Sequence, residues 1–201
     1  MTCLALIRHG PTAWNEVGRV QGQSDVPLSA RGRALVTTWR LPAELAGFDW
    51  LASPLRRARE TATILGAPPP LATDARLAEM HWGAWEGETL AYLRARYGDE
   101  MIRNEARGLD FRTAGGESYR ELRARVRDLL AALAAAGRPT LAVTHKGVIR
   151  AVLSLATGWE MRDKPPCTLV WTAAHLFTLA GDGTPAVARL NLPLGGEERD
   201  W

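Results

Sequence analysis

Short apolar runs alternate with longer amphipathic stretches along this chain. Cys3 to Ile7 is apolar and ends at Arg8-His9-Gly10-Pro11, the pattern of a buried strand that stops at a turn. Gly18 to Pro27 is rich in Gly, Gln, Ser, Asp and Pro and predicts loop. Ser29 predicts an N-cap for a helix from Ala30 to about Arg40, with Pro42 interrupting the chain beyond it. Asp49 to Ala52 predicts a second strand, and Pro54 at a first helical position predicts a helix to about Leu65. Leu71 to Gly87 has no clean period, and long irregular stretches are often functional. Thr89 to Tyr97 predicts a helix, and Gly98 to Gly116 a surface excursion.

Glu117 to Ala136 carries the clearest helical period, with Leu122, Val126, Leu129, Leu130 and Leu133 on one face. Gly137-Arg138-Pro139 stops it. Thr140 to Thr144 predicts a third strand, Val148 to about Thr157 a helix, and Leu169–Thr172, His175–Leu179 and Val187–Leu190 late strands. Strands alternating with helices predict an α/β three-layer sandwich around a largely parallel sheet. No repeat or linker divides the chain, so one domain spanning residues 1–201 is expected.

Composition narrows the function classes. The chain has 201 residues, 46% hydrophobic and 23% charged, ordinary for a soluble globular protein. The net charge of +3 is spread among interleaved acids and arginines, which argues against a nucleic-acid surface. The two cysteines, Cys3 and Cys167, have no metal or disulfide spacing, and Cys3 is expected to be a buried small hydrophobe. No leader-like start and no apolar run long enough to span a bilayer is evident, so a cytoplasmic protein without membrane contact is expected. Oligomeric state leaves no trace in the pattern.

Two strand ends hold the candidate chemistry: Leu6-Ile7-Arg8-His9-Gly10 and Val143-Thr144-His145-Lys146-Gly147. Each places a histidine just past the carboxyl end of an apolar strand, where open α/β sheets bind ligands. Arg8-His9-Gly10 with Thr12-Ala13-Trp14-Asn15 resembles the signature of the histidine phosphatase superfamily, also called phosphoglycerate mutase-like. Four further blocks are similar to that family, in its order. They are Gly22 to Gly32 (GQSDVPLSARG), Ser53 to Ala62, Leu77 to Gly87, and Val143 to Arg150.

The resemblance implies the phosphoglycerate mutase-like sandwich, a small-molecule phosphomonoester substrate, and neither metal nor other cofactor. It implies His9 as the nucleophile that accepts phosphate, and Glu79 as general acid and base. Arg8, Asn15, Gly22, Arg57 and His145 are implied as phosphate ligands. The chemistry suits those residue types. A phosphate dianion repels nucleophiles, so the site must neutralise it, and guanidinium forks do so bidentately. A neutral imidazole is a competent nucleophile near pH 7 if a hydrogen bond holds its other nitrogen; a backbone carbonyl is the expected partner. Arg56 and Arg59 flank Arg57 but point elsewhere on a helix, and are expected on a solvated face. Glu86 competes with Glu79 for the acid role. His81 and His175 lack partners at metal spacing, so structural roles are expected.

The chain departs from the family pattern at Lys146, where Gly usually follows the second histidine; its side chain is expected at the surface. The mutase branch typically has Arg and Tyr one and three positions after its acid, where this chain has Met80 and Trp82. A phosphatase is therefore expected, resembling α-ribazole and broad-specificity phosphatases, with a mutase-type isomerase or a catalytically silent module as alternatives. Trp14, Met80 and Trp82 are candidate linings for an apolar mouth, or core residues.

Overall fold

The computed structural model describes residues 1–195. Its elements run β1 (Thr2–Arg8), α1 (Ala13–Glu16), α2 (Ala30–Thr38), β2 (Asp49–Ala52), α3 (Arg56–Ile64), β3 (Ala72–Thr73), α4 (Leu90–Glu105), α5 (Tyr119–Ala136), β4 (Thr140–Thr144), α6 (Lys146–Thr157), β5 (Ala173–Leu179) and β6 (Pro185–Pro193). Together the strands form one sheet in the order β3-β2-β4-β1-β5-β6. The first four run parallel, and β5 and β6 add an antiparallel edge. The expected largely parallel α/β sandwich is what forms.

Alternation along β1 separates two layers. Leu4 and Leu6 pack against α5 and α6, whereas Ala5 and Ile7 face Leu28 and Val36 on the α2 side. The apolar face of α5 (Leu122, Val126, Leu129, Leu130) is buried against the sheet, at about 1.5–3 kcal/mol for each large side chain removed from water. Ser118 and Glu121 close a reciprocal capping box at its start, and Gly137 ends it in the left-handed conformation. Among the described residues, no helix is long and apolar enough to cross a membrane.

Several expectations are corrected. Pro54 is not the first helical residue: Leu55 is the N-cap of α3, and the Asp25 carboxylate caps it from outside by accepting Arg56 N–H at 2.6 Å. The segment from Gly98 to Gly116 is not a surface excursion. Gly98 kinks α4 with φ 47°, but the helix resumes to Glu105 because Met101, and Phe111 beyond it, have core to bury against. Leu169 to Thr172 forms no strand; Val170 N–H bonds the Asn191 side chain rather than a neighbouring strand. Cys3 is half-buried, because its side of β1 is incompletely covered. The short helix α1, capped by Thr12, was not visible in the apolar pattern.

Candidate active site

Parallel pairing of β1 with β4 aligns Arg8 with Thr144, so the next residues, His9 and His145, leave neighbouring strands side by side. His9 N–H bonds Thr144 O at 2.9 Å, and the two imidazole centroids lie 5.1 Å apart. His9 is buried, and its Nδ1 lies 2.7 Å from Gly10 O. A carbonyl only accepts, so Nδ1 carries the proton and the lone pair is on Nε2. Burial first, then the charges of Arg57 and Arg8, hold the His9 pKa well below the usual imidazole value. It is neutral at pH 7.

His145 is also kept neutral, by burial, then by Arg57 and by His9. Its Nε2 lies 2.7 Å from Ser53 Oγ, which also accepts Leu55 N–H. Ser53 can therefore give its hydroxyl proton to Nε2, which puts the imidazole N–H on Nδ1. That Nδ1 is buried and has no hydrogen-bond partner among the described residues, and the same is true of Arg57 Nε.

Arg57 lies on the covered face of α3, fully buried, whereas Arg56 and Arg59 are exposed, as adjacent helical positions require. Its two terminal nitrogens donate to Ser24 O at 2.8 Å and Gly22 O at 2.7 Å. Burial pulls its pKa below the usual guanidinium value, opposed by the nearby carboxylates of Glu79, Asp25 and Glu86, and it remains cationic. Gly22 makes this loop possible. Its φ is +51°, and a Cβ there would sit 2.0 Å from Glu86 Oε1. Arg8 is buried beside His9, with its guanidinium 5.6 Å from the Trp171 ring.

The two carboxylates of the irregular segment have different surroundings. Glu86 accepts from Gln23 N–H, Trp82 N–H, and the N–H and hydroxyl of Ser24, so it organises the loop that holds Arg57. Glu79 reaches the first turn of α6, accepting Gly147 N–H at 3.1 Å and Met80 N–H at 2.9 Å. Glu79 thus stands at the first turn of the helix that His145 caps, while Glu86 is engaged elsewhere.

Comparison with known proteins places this architecture. The family model described as histidine phosphatase superfamily (branch 1) matches residues 4–192. The chain belongs to that superfamily. It is 33% identical over 168 residues to a 2,3-bisphosphoglycerate-dependent phosphoglycerate mutase 2 of Gloeobacter violaceus, covering 76% of this chain and 74% of the relative. It is 34% identical over 176 residues to a glucosyl-3-phosphoglycerate phosphatase of Mycolicibacterium vanbaalenii, covering 81% and 77%. Among solved structures, a mycobacterial glucosyl-3-phosphoglycerate phosphatase in complex with VO3 superimposes with a TM-score of 0.79 at 27% identity, covering 96% of this chain and all of that one. Relatives named as phosphatases support phosphoester hydrolysis.

Within this member of the superfamily, the remaining candidates find distinct places. Asn15 is the third residue of α1 and closes a capping box with Thr12, which occupies its Oδ1 and leaves its amide NH2 outside that box. Met80 is fully buried in the core and lines no mouth; Trp82 packs on Phe111 and Trp85. Trp14 lies against Gly87. Lys146 is exposed, its ammonium 4.9 Å from the Trp171 ring. His81 stands 3.7 Å from Glu86, and His175 is buried on β5, pushed down to about 4 by desolvation. No metal-sized cluster of His, Cys, Asp or Glu occurs among the described residues. Sequence reasoning missed Ser53, Asp25, Gly147 and Trp171. The first three lie inside the matched blocks, so the pattern marked the positions without their roles; Trp171 carried no signal.

Proposed function

We propose that this protein hydrolyses small-molecule phosphomonoesters in two steps through a phosphohistidine on His9. The observation that carries this reading is the bond from His9 Nδ1–H to Gly10 O, which leaves a buried, neutral imidazole with its lone pair on Nε2. Arg8, Arg57, His145 Nδ1–H, the Asn15 amide and the Gly22 N–H bind the phosphate oxygens and offset their charge. Nε2 attacks phosphorus as the ester bond breaks, and Glu79 gives the leaving oxygen its proton. Glu79 then takes a proton from water as that water attacks the phosphohistidine, which frees inorganic phosphate and restores His9.

No step calls on a metal, because side-chain cations supply the charge. The positions that hold Arg and Tyr in the mutase branch are here buried Met80 and aromatic-packed Trp82, which favours hydrolysis over phosphate return. The test is phosphate release from a panel of phosphomonoesters in EDTA. Release is expected to persist and to be inhibited competitively by vanadate, which mimics the trigonal phosphoryl group. A strict metal requirement, or efficient interconversion of 2- and 3-phosphoglycerate stimulated by the bisphosphate, contradicts the reading.

Gly147 gives a sharper check on Glu79. A Cβ at residue 147 would lie 2.2 Å from Glu79 Oε1. The carboxylate end can swing aside, so Gly147→Ala is expected to fold normally yet displace the proton donor. Misplacing a catalytic group by about 1 Å costs on the order of 10²-fold. Hydrolysis of an alkyl phosphate should fall by about that factor while circular dichroism and Tm stay near wild type. An unchanged kcat would show that Glu79 does not need this position.

A further inference from the structure

A basic cavity of about 490 Å³ opens beside the site, large enough for the body of a small ligand. Lys146, Arg150, Lys164, Pro165, Pro166 and Trp171 are among the residues lining it, and no carboxylate does among the described residues. Its position follows from the helix that holds Glu79. Lys146 lies between His145 and Gly147, the residue whose N–H anchors the Glu79 carboxylate. Arg150 is four residues on, hence on the same face of α6. Trp171 ties the cavity to the phosphate side: the Lys146 ammonium is 4.9 Å from its ring and the Arg8 guanidinium 5.6 Å. Tyr119, 5.7 Å from the Arg150 guanidinium, feels the charges of both Arg150 and Glu79, so cavity and acid share a neighbourhood. Arg150 Nε is buried and has no hydrogen-bond partner among the described residues.

In the proposed hydrolysis, the leaving oxygen must lie against Glu79. The helix turn that anchors Glu79 through Gly147 N–H also carries Lys146, and Arg150 follows one turn further on, both lining the cavity. We propose that Lys146, Arg150 and Lys164 form a subsite for a second anion on the leaving group, so that the preferred esters carry a carboxylate or a second phosphate besides the one removed. This rests on the hydrolytic reading of His9 and Glu79. Lys146, standing where the family usually has Gly, supplies a charge to this subsite that the common pattern lacks. A subsite of this kind selects mainly by opposite-charge attraction and charge-assisted hydrogen bonds.

Three esters test it: glycerol 3-phosphate, with an uncharged leaving group; 3-phosphoglycerate, with a carboxylate; and glycerol 1,3-bisphosphate, with a second phosphate. Wild-type kcat/KM is expected to favour at least one of the anionic esters over glycerol 3-phosphate by about tenfold or more. Which of the two is favoured tells carboxylate from phosphate. In the Lys146→Gln/Lys164→Gln double variant that ratio should drop to within about threefold of unity. A ratio near one in wild type, or one that the double variant leaves unchanged, overturns the subsite. Because the readout is a ratio within one preparation, a general loss of active protein does not mimic it. If no ester is hydrolysed, the hydrolytic reading fails, and calorimetric Kd values of the wild-type protein for the same three esters decide the subsite by the same contrast.

Discussion

His9→Ala is expected to lose turnover of every phosphomonoester, by on the order of 10⁴-fold or more, as removal of a covalent nucleophile does. The substitution deletes the nitrogen proposed to bond phosphorus and leaves Arg8, Arg57 and His145 in place, so phosphate affinity should persist. The fold should persist too: β1 is held by its pairing with β4 and β5, which the His9 side chain does not share. Equilibrium binding of inorganic phosphate or vanadate, measured beside turnover, separates the two effects. Residual hydrolysis within about tenfold of wild type would remove His9 from the covalent step.

Glu79→Gln should behave differently, because the nucleophile and the phosphate clamp survive. General acid–base catalysis is commonly worth about 10²–10⁴-fold, and an alkyl phosphate should lose that much in the phosphorylation step. p-Nitrophenyl phosphate, whose leaving group needs no proton, should lose less. Dephosphorylation stays slow for both, since water has lost its base, so the variant should accumulate phosphoenzyme with the activated ester. Pre-steady-state release of nitrophenolate should therefore show a burst followed by a slow phase. Equal slowing of phosphorylation for both leaving groups would show that Glu79 transfers no proton. The neutral amide introduced by Glu79→Gln can still accept Gly147 N–H through its oxygen, so the local geometry is conserved and the contrast reports chemistry.

The central sheet was legible because its signals are local. The apolar runs ending at Arg8-His9 and Thr144-His145 mark two strands, and their parallel pairing follows from the helices between them. The long period of α5 likewise marked a helix that is in place. Misread segments depended on tertiary partners. Gly98 looks like a terminator, yet the helix resumes because Met101 finds the core beyond the kink. Leu169–Thr172 has strand-like residues, but its Val170 N–H is taken by the Asn191 side chain instead of a strand partner. In the site, helical geometry says only that Arg56, Arg57 and Arg59 cannot all face one place; the choice of Arg57 rested on the resemblance, and it is Arg57 that the fold buries. The preference for Glu79 over Glu86 rested on the resemblance; what the fold adds is that Glu86 accepts from the loop around Ser24, whereas Glu79 accepts from Met80 N–H and Gly147 N–H. No spacing could reveal the Ser53–His145 bond, which joins residues 92 positions apart.

Ser53 also sharpens the decisive experiment, because a serine 2.7 Å from a histidine is a second conceivable nucleophile. Glu79→Gln, mixed with p-nitrophenyl phosphate and quenched in alkali, should carry one phosphate that mass spectrometry maps to His9. Phosphorus NMR should place it on Nε2, and acid should release it. An acid-stable phosphate on Ser53, or no covalent phosphate on any residue while turnover continues, would contradict the account.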